Sequence, residues 1–219
     1  MEIADPSAGC FGHVIDPETG EELPAKAAQV MEAGSKLFTE QGFGAVSMDQ
    51  VAKAAGVSKA TVYAHFQSKE QLFVAIVRAA CLSYAENAMP EVRDAPDMRS
   101  ALTRIGHSIA GFLMAPRTMA IYRVIVAEGP RFPGLAQGYY ETGPRTFKRL
   151  LAKYLTEAVE KGLLQIDNPR LASEQFCSMV RGPLYMKVLL DLKDDPDLLD
   201  TNTVVDGAVE VFLRSYGPK

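Results

Sequence analysis

The sequence predicts an all-α fold in which a small three-helix domain precedes a larger helical domain. From Ala25 onward, apolar residues recur at the i, i+3, i+4, i+7 spacing of amphipathic helices. Serines stand where helices would begin and glycines where they would end, and no stretch shows the apolar and polar alternation of a strand. These observations together favour helices throughout.

The composition is that of an ordinary globular protein. Of 219 residues, 47% are hydrophobic and 23% are charged, and the net charge is −4, which excludes a wholly disordered chain or a collagen. No apolar run approaches the roughly 18 residues that span a bilayer, and the first residues lack the regions of a secretory signal. Three distant cysteines, Cys10, Cys81 and Cys177, suit a reducing compartment. We therefore expect a cytoplasmic protein with no membrane partner.

Charge and composition divide the chain into three parts. Residues 1–24 carry six acidic residues and no lysine or arginine, and Asp16 to Gly20 has the order of a tight turn. This segment is predicted to be an acidic tail, with a possible small hairpin. Residues 25–82 carry six basic and four acidic residues and form the predicted helix-turn-helix domain. Residues 83–219, with balanced charges, form the predicted second helical domain.

Helix-start signals define the elements of the first domain. Gly42 ends the first helix, and Phe43 is placed to fold back on Phe38. Ser47 and Gln50 form a capping box that opens a short second helix.

Start signals for a third and a fourth helix follow within the next few residues. Gly56 stops the second helix, and Ser58 caps a third helix that buries Val62 and Phe66. A second capping box at Ser68 opens a longer helix, about residues 69–87.

The remaining helices are predicted from the spacing of apolar residues between proline and glycine breaks. A break rich in proline and aspartate at 90–96 separates them from the first domain, and Pro144 predicts a kink or a restart. Residues 193–200 are predicted to be a loop. The predicted helices are 97–114, 117–127, 134–162, 169–192 and 201–215.

Three short helices joined by a tight glycine turn are typical of a DNA-binding helix-turn-helix. Gly56 permits a left-handed backbone, so the third helix leaves at a steep angle and can enter a major groove. With Val62 and Phe66 inward, the residues Lys59, Ala60, Tyr63, Ala64 and His65 are left to face DNA. Ala60 is small enough to approach a thymine methyl group closely.

The sequence here resembles a known family. The runs LFTEQGFGAVSMDQVA and AAGVSKATVYAHFQSKEQLF resemble the N-terminal domain of TetR-type transcriptional regulators. APRTMAIYRVIVAEGPRFPGLAQGYYETGP and DNPRLASEQFCSMVRGPLYMKVLL are similar to the C-terminal domain of the AefR-like branch. The resemblance implies an all-helical homodimer that binds a pseudo-palindromic operator, usually as a repressor released by a small molecule. The predicted DNA-binding residues are Ser47, Lys59, Ala60, Thr61, Tyr63, His65 and Lys69.

The C-terminal part is rich in methionine and aromatic residues at helical spacing. Such stripes usually form a core, but a subset can line an apolar cavity because methionine adapts its shape to ligands. The candidates for an effector pocket are Phe112, Met119, Tyr122, Arg123, Phe147, Phe176 and Met179. The last two helices are predicted to form the dimer interface through Leu171, Val180, Gly182, Leu184, Val204, Ala208, Val211 and Phe212.

Other function classes are weaker. The sequence lacks HExxH, GxSxG and a glycine-rich phosphate loop, so an enzyme is not expected. Cys10 and His13 are two potential ligands rather than four, so no metal and no cofactor are expected. A helical carrier or interaction protein that keeps the helix-turn-helix shape stays open. Salt-dependent binding to a palindromic duplex, absent with a scrambled one, separates it from a regulator.

Overall fold

The computed structural model describes residues 23–192 and 200–218, without the side chains at 82–91, 93 and 183. The described residues contain helices and no strand, which confirms the all-α class. The possible hairpin at the N-terminus lies outside the described residues. The helices are α1 Ala25–Gln41, α2 Met48–Ala54, α3 Lys59–His65, α4 Lys69–Arg93, α5 Met98–Met114, α6 Pro116–Glu128, α7 Pro133–Tyr140, α8 Thr146–Glu160, α9 Pro169–Leu189 and α10 Thr201–Tyr216.

The chain forms two compact units, and the first of them is discontinuous. It comprises the described residues up to Ser83 together with Pro116–Pro144. Its core contains three phenylalanines, Phe38, Phe43 and Phe73, whose ring centroids lie 5.2 to 5.8 Å apart. Helices α6 and α7 therefore pack with the N-terminal helices, whereas a boundary after residue 82 assigns them to the second domain. Sequence periodicity marks the apolar face of a helix but not the element that covers it.

Helix α4 extends beyond its predicted end. It continues through Pro90 to Arg93, although the prediction ended it near residue 87. Proline removes one backbone N–H bond, but the neighbouring hydrogen bonds still propagate the helix.

A π-helical turn, Glu141–Arg145, joins α7 to α8 and contains Pro144. The predicted kink or restart thus takes the form of a wider turn, in which backbone hydrogen bonds join residues five apart. Gly138 and Gly143 both lie against α4. A methyl group at Gly138 would overlap Val74, and one at Gly143 would lie 3.3 Å from the sulfur of Cys81. Glycine at these positions allows α4 to approach closely.

The second unit comprises residues 84–115 and the described residues from Arg145 onward. Helices α5, α8, α9 and α10 enclose its core, in which Phe176 and Phe212 are buried with ring centroids 5.2 Å apart. Helix α9 bends at Gly182, where φ is +43° and ψ −163°. The helix predicted over 169–192 is thus present as Pro169–Leu189 with a bend, because Gly182 allows the bend and Pro183 supplies no backbone N–H there.

Among the described helices, none is by itself both long and apolar enough to cross a membrane, and only α5 and α6 taken together meet that test of length and composition.

Candidate nucleic-acid interface

Local capping interactions hold α2 in place. The side chain of Ser47 accepts a hydrogen bond from the Gln50 amide at 3.3 Å, and the Gln50 side chain accepts one from the Ser47 amide at 2.7 Å. The predicted capping box is thus present in full. The hydroxyl of Ser47 also donates to Gln50 Oε1 at 2.9 Å. Ser47 is exposed, and its hydroxyl serves the start of α2.

The turn between α2 and α3 has the backbone that the sequence predicts. Gly56 has φ +67°, and the Val57 amide donates to the Ala52 carbonyl at 3.1 Å. Ser58 caps α3 by accepting from the Thr61 amide at 3.1 Å. The two helices therefore leave the turn in directions set by a glycine and a cap.

Helix α3 divides into a buried and an exposed face. Val62 is fully buried and Phe66, just after the helix, is 7% exposed. Lys59, Ala60, Tyr63 and His65 lie exposed, together with Ala64. The structure thus places four of the seven predicted DNA-binding residues on the exposed face of one short helix. A helix of this kind presents side chains to the major groove of DNA.

Thr61 is placed differently from its neighbours. It is half-buried, and its hydroxyl lies 2.8 Å from that of Ser58. In this position Thr61 adds a side-chain hydrogen bond to the cap of α3. Its contact with DNA stays a prediction.

Lys59 has an acidic partner that sequence reasoning missed. Its ammonium lies 2.8 Å from Oδ1 and 3.0 Å from Oδ2 of Asp49, which stands in the first turn of α2. The hydrogen bond and the charge of Asp49 raise the pKa of Lys59. The same ammonium lies 5.9 Å from the ring centroid of Tyr63. The only sequence signal was an acid beside the capping box, and ten residues separate it from its partner.

Lys69, the last of the predicted DNA-binding residues, has backbone partners in its own chain. Its ammonium donates to the carbonyls of Phe43 at 2.6 Å and Val46 at 2.8 Å, with Gly44 at 3.4 Å. It also lies 4.5 Å from the ring centroid of Phe43. Burial lowers the pKa of Lys69. Its donors are therefore engaged by the turn between α1 and α2 in the chain without DNA, and its contact with DNA stays a prediction.

The effector-pocket candidates divide between the two units. Met119, Tyr122 and Arg123 belong to the first unit, where Met119 is buried, Tyr122 lies 6.0 Å from Tyr139 between ring centroids, and Arg123 is exposed. The others belong to the second unit, in which Phe176 is fully buried and Phe112, Phe147 and Met179 are half-buried. The seven residues thus do not form a single cluster within either unit.

Most dimer-interface candidates are buried within the second unit itself. Leu171 and Val211 are 51% and 54% exposed, and Gly182 forms the bend of α9. The others are already covered by their own chain, and they are Val180, Leu184, Val204, Ala208 and Phe212. A side chain covered in this way adds little apolar area to a partner interface. These five therefore pack in the core of their own chain, and their part in a dimer stays a prediction.

Comparison with known proteins places this arrangement in a family. Residues 30–76 match the family described as "Bacterial regulatory proteins, tetR family", and residues 100–218 match "AefR-like transcriptional repressor, C-terminal domain". The HTH-type transcriptional regulator BetI of Rhizobium meliloti (strain 1021) is 32% identical over 205 residues, which cover 92% of this chain and 95% of that protein.

Two solved structures are similar to this chain over most of its length. The Flavonoid-responsive Regulator FrrA is 38% identical, with a TM-score of 0.75 over 89% of this chain and 98% of that one. A TetR transcriptional regulator from Agrobacterium tumefaciens, 21% identical, shares the fold with a TM-score of 0.72 over 90% and 97% of the two chains.

The helix-turn-helix and its exposed third helix define a DNA-binding regulator. The chain belongs to the TetR family of bacterial transcriptional regulators. It is accordingly a transcriptional regulator and not an enzyme.

Proposed function

We propose that this chain is a cytoplasmic repressor that binds a palindromic operator as a homodimer and is released by a small apolar or aromatic molecule. The observation that carries the proposal is the exposed face of α3, with Lys59, Ala60, Tyr63 and His65 on a helix fixed by Ser58 and Gly56. The match of residues 100–218 to a family described as a repressor supports the sign of regulation.

A dimer follows from the small charge of the DNA-binding helices. One α3 carries a single lysine, whereas two such helices about 34–36 Å apart can read two half-sites of a palindrome. Exposed apolar side chains on α9 and α10 supply a surface for association, namely Leu171, Met186 and Val211, with Leu190 just beyond α9. Leu171→Asp with Val211→Asp is expected to yield monomers by light scattering. Leu163→Asp, at a position outside these helices that is 45% exposed, is expected to leave the mass unchanged.

An aromatic ligand is supported by composition and by one relative. Phe147 and Met179 are half-buried against the core of the second unit, where adaptable side chains suit a planar apolar molecule. The 38% identical relative is described as flavonoid-responsive, so a flavonoid is the first ligand to test. By linkage, a ligand that releases DNA binds the DNA-free form more tightly, and a coupling of about 1–3 kcal/mol gives roughly 5–150-fold release.

The experiment has two arms. Genomic fragments that bind the protein yield a palindromic duplex, and its affinity is compared with that of a scrambled duplex across a salt series. A flavonoid is then titrated with and without saturating operator. Equal affinity for operator and scrambled DNA contradicts the DNA-binding proposal, and equal flavonoid affinity in the two titrations contradicts release.

A repressor also lowers transcription in vitro from a promoter that carries the operator. Increased transcription identifies an activator instead.

A further inference from the structure

The turn between α1 and α2, residues 42–46, determines where the DNA-binding helices begin. Gly42 has φ +84°, and Phe43 and Val46 are buried on either side of exposed Gly44. Ser47, the cap of α2, follows directly. A shift of this turn therefore moves the start of α2, and with it Asp49 and the helix against which α3 packs.

Lys69 holds one side of the turn. Its ammonium donates to the carbonyls of Phe43 and Val46, which lie three residues apart. These bonds join the first turn of α4 to both ends of the segment that precedes α2.

Glu128, the last residue of α6, holds the other side. Its Oε1 accepts a hydrogen bond from the Gly44 amide at 3.2 Å. The carboxylate lies so close that a methyl group at Gly44 would stand 3.0 Å from Oε1. The second oxygen, Oε2, is buried without a hydrogen-bond partner among the described residues and lies 3.6 Å from the guanidinium of Arg131.

A buried carboxylate oxygen that lacks a hydrogen bond is costly, so Oε2 of Glu128 is a cost that the other contacts of this side chain must offset. Burial lowers the pKa of Lys69, and the charges of Glu70 and, to a smaller extent, Glu128 raise it against that larger effect. Phe132 completes the cluster, with its ring 5.0 Å from that of Phe43. An acid, a base and the ring of Phe132 thus surround one five-residue turn.

We infer that Glu128 is a positioning residue for DNA recognition, which acts by holding the Gly44 amide and thereby the start of α2. The residue lies in the sequence that matches the C-terminal family domain, whereas Gly44 lies in the part that matches the DNA-binding domain. The inference rests on the proposed function, because it makes operator affinity depend on a carboxylate outside α2 and α3.

Two substitutions with the same charge test it. Glu128→Gln removes the charge but keeps an oxygen that accepts from the Gly44 amide, whereas Glu128→Leu removes both. Glu128→Leu is expected to lower operator affinity about tenfold, the upper end of what one ordinary hydrogen bond contributes. Glu128→Gln is expected to stay within about twofold of the wild type. The difference cannot come from charge, because the two variants have the same charge.

Glu40→Gln is the matched control. Glu40 lies in the same unit, is exposed, and is 4.0 Å from Lys36. Loss of its negative charge is expected to tighten binding to operator and scrambled DNA slightly and equally. Thermal unfolding of each variant, without DNA, establishes that the folded protein is compared.

If Glu128→Leu does not fold, Gly44→Ala replaces it, because its methyl group would stand 3.0 Å from Oε1 and would force the carboxylate to shift by a few tenths of an ångström. Gly134→Ala is its control, since a methyl group there meets no atom within 4 Å. Gly44→Ala is expected to lose operator affinity about tenfold and Gly134→Ala to lose none.

Equal operator affinity of Glu128→Leu and Glu128→Gln, or of Gly44→Ala and Gly134→Ala, overturns the inference. A wild type that does not distinguish operator from scrambled DNA instead overturns the proposed function, so the two failures are distinguishable.

Discussion

Two lysines, ten residues apart, follow a capping serine in the same Ser-Lys pair, and the protein uses them in opposite ways. Lys59 opens α3 and is 61% exposed, with Asp49 as its partner. Lys69 opens α4 and donates to carbonyls of the turn at 42–46. The pKa of Lys59 is raised by its acid and that of Lys69 is lowered by burial. The same local signal starts both helices, but the surroundings decide whether the cation meets solvent or backbone.

The largest expected effect is on the free energy of unfolding, which we expect to depend on Lys69 much more than on Lys59. Lys69→Met leaves part-buried carbonyls of the turn without their donor and is expected to lower the free energy of unfolding by about 1–3 kcal/mol. Lys59→Met is expected to change it by no more than about 0.5 kcal/mol, because its ion pair is exposed. Urea denaturation of both variants measures the difference. Equal losses would mean that the carbonyl contacts of Lys69 carry no weight.

In DNA binding, by contrast, we expect Lys59 to determine sequence preference. Lys59→Ala is expected to relax preference at one base pair by about 1–3 kcal/mol, if the ammonium reads a base edge. Affinities for operators altered at single positions measure this effect. A uniform loss for operator and scrambled DNA would identify Lys59 as a phosphate contact only.

The two capping serines, Ser58 and Ser68, make the same hydrogen bond at the starts of α3 and α4, so we expect them to stabilise the protein equally. Ser58 accepts from the Thr61 amide at 3.1 Å and Ser68 from the Gln71 amide at 3.2 Å. Ser58→Ala and Ser68→Ala are each expected to cost about 1 kcal/mol of stability. Thermal unfolding checks both, and a clear inequality would show that the caps too depend on their surroundings.

The smallest effect concerns the partner of Lys59. Asp49→Asn frees the ammonium and removes a negative charge from α2, so we expect about threefold tighter binding to scrambled DNA. The salt dependence should steepen by at most one phosphate contact, a slope of about 0.9. Glu40→Gln, which removes an equal charge from α1, serves as the comparison. An effect no larger than that of Glu40→Gln would mean that the pair does not restrain Lys59.

The parts of the site that depend on neighbours in the sequence were predictable. The capping box of Ser47 and Gln50 and the positive φ of Gly56 are present as expected. Buried Val62 and Phe66 leave the predicted face of α3 exposed. Each of these features depends on residues at most four positions apart, which is why the sequence alone identified them.

The parts that depend on distant elements were not predictable. Asp49 beside Lys59, and Glu128 against Gly44, pair residues 10 and 84 positions apart. Val180 and Phe212 look like Leu171 and Val211 in an apolar stripe, yet the first two are buried by their own chain and the last two are exposed. The spacing of apolar residues identifies the apolar face of a helix, but it does not show which other helix packs against that face.

The sequence by itself therefore determined the helical class, most helix ends, the exposed face of α3 and the family. Caps, glycine turns and apolar spacing act within one or two helical turns, and these signals are written in consecutive residues. Only the tertiary structure decided that residues 116–144 pack with the N-terminal helices and that Lys69 binds carbonyls. The reason is that the burial and the partners of a side chain depend on which helices pack together, and helices that are far apart in the sequence take part in that packing.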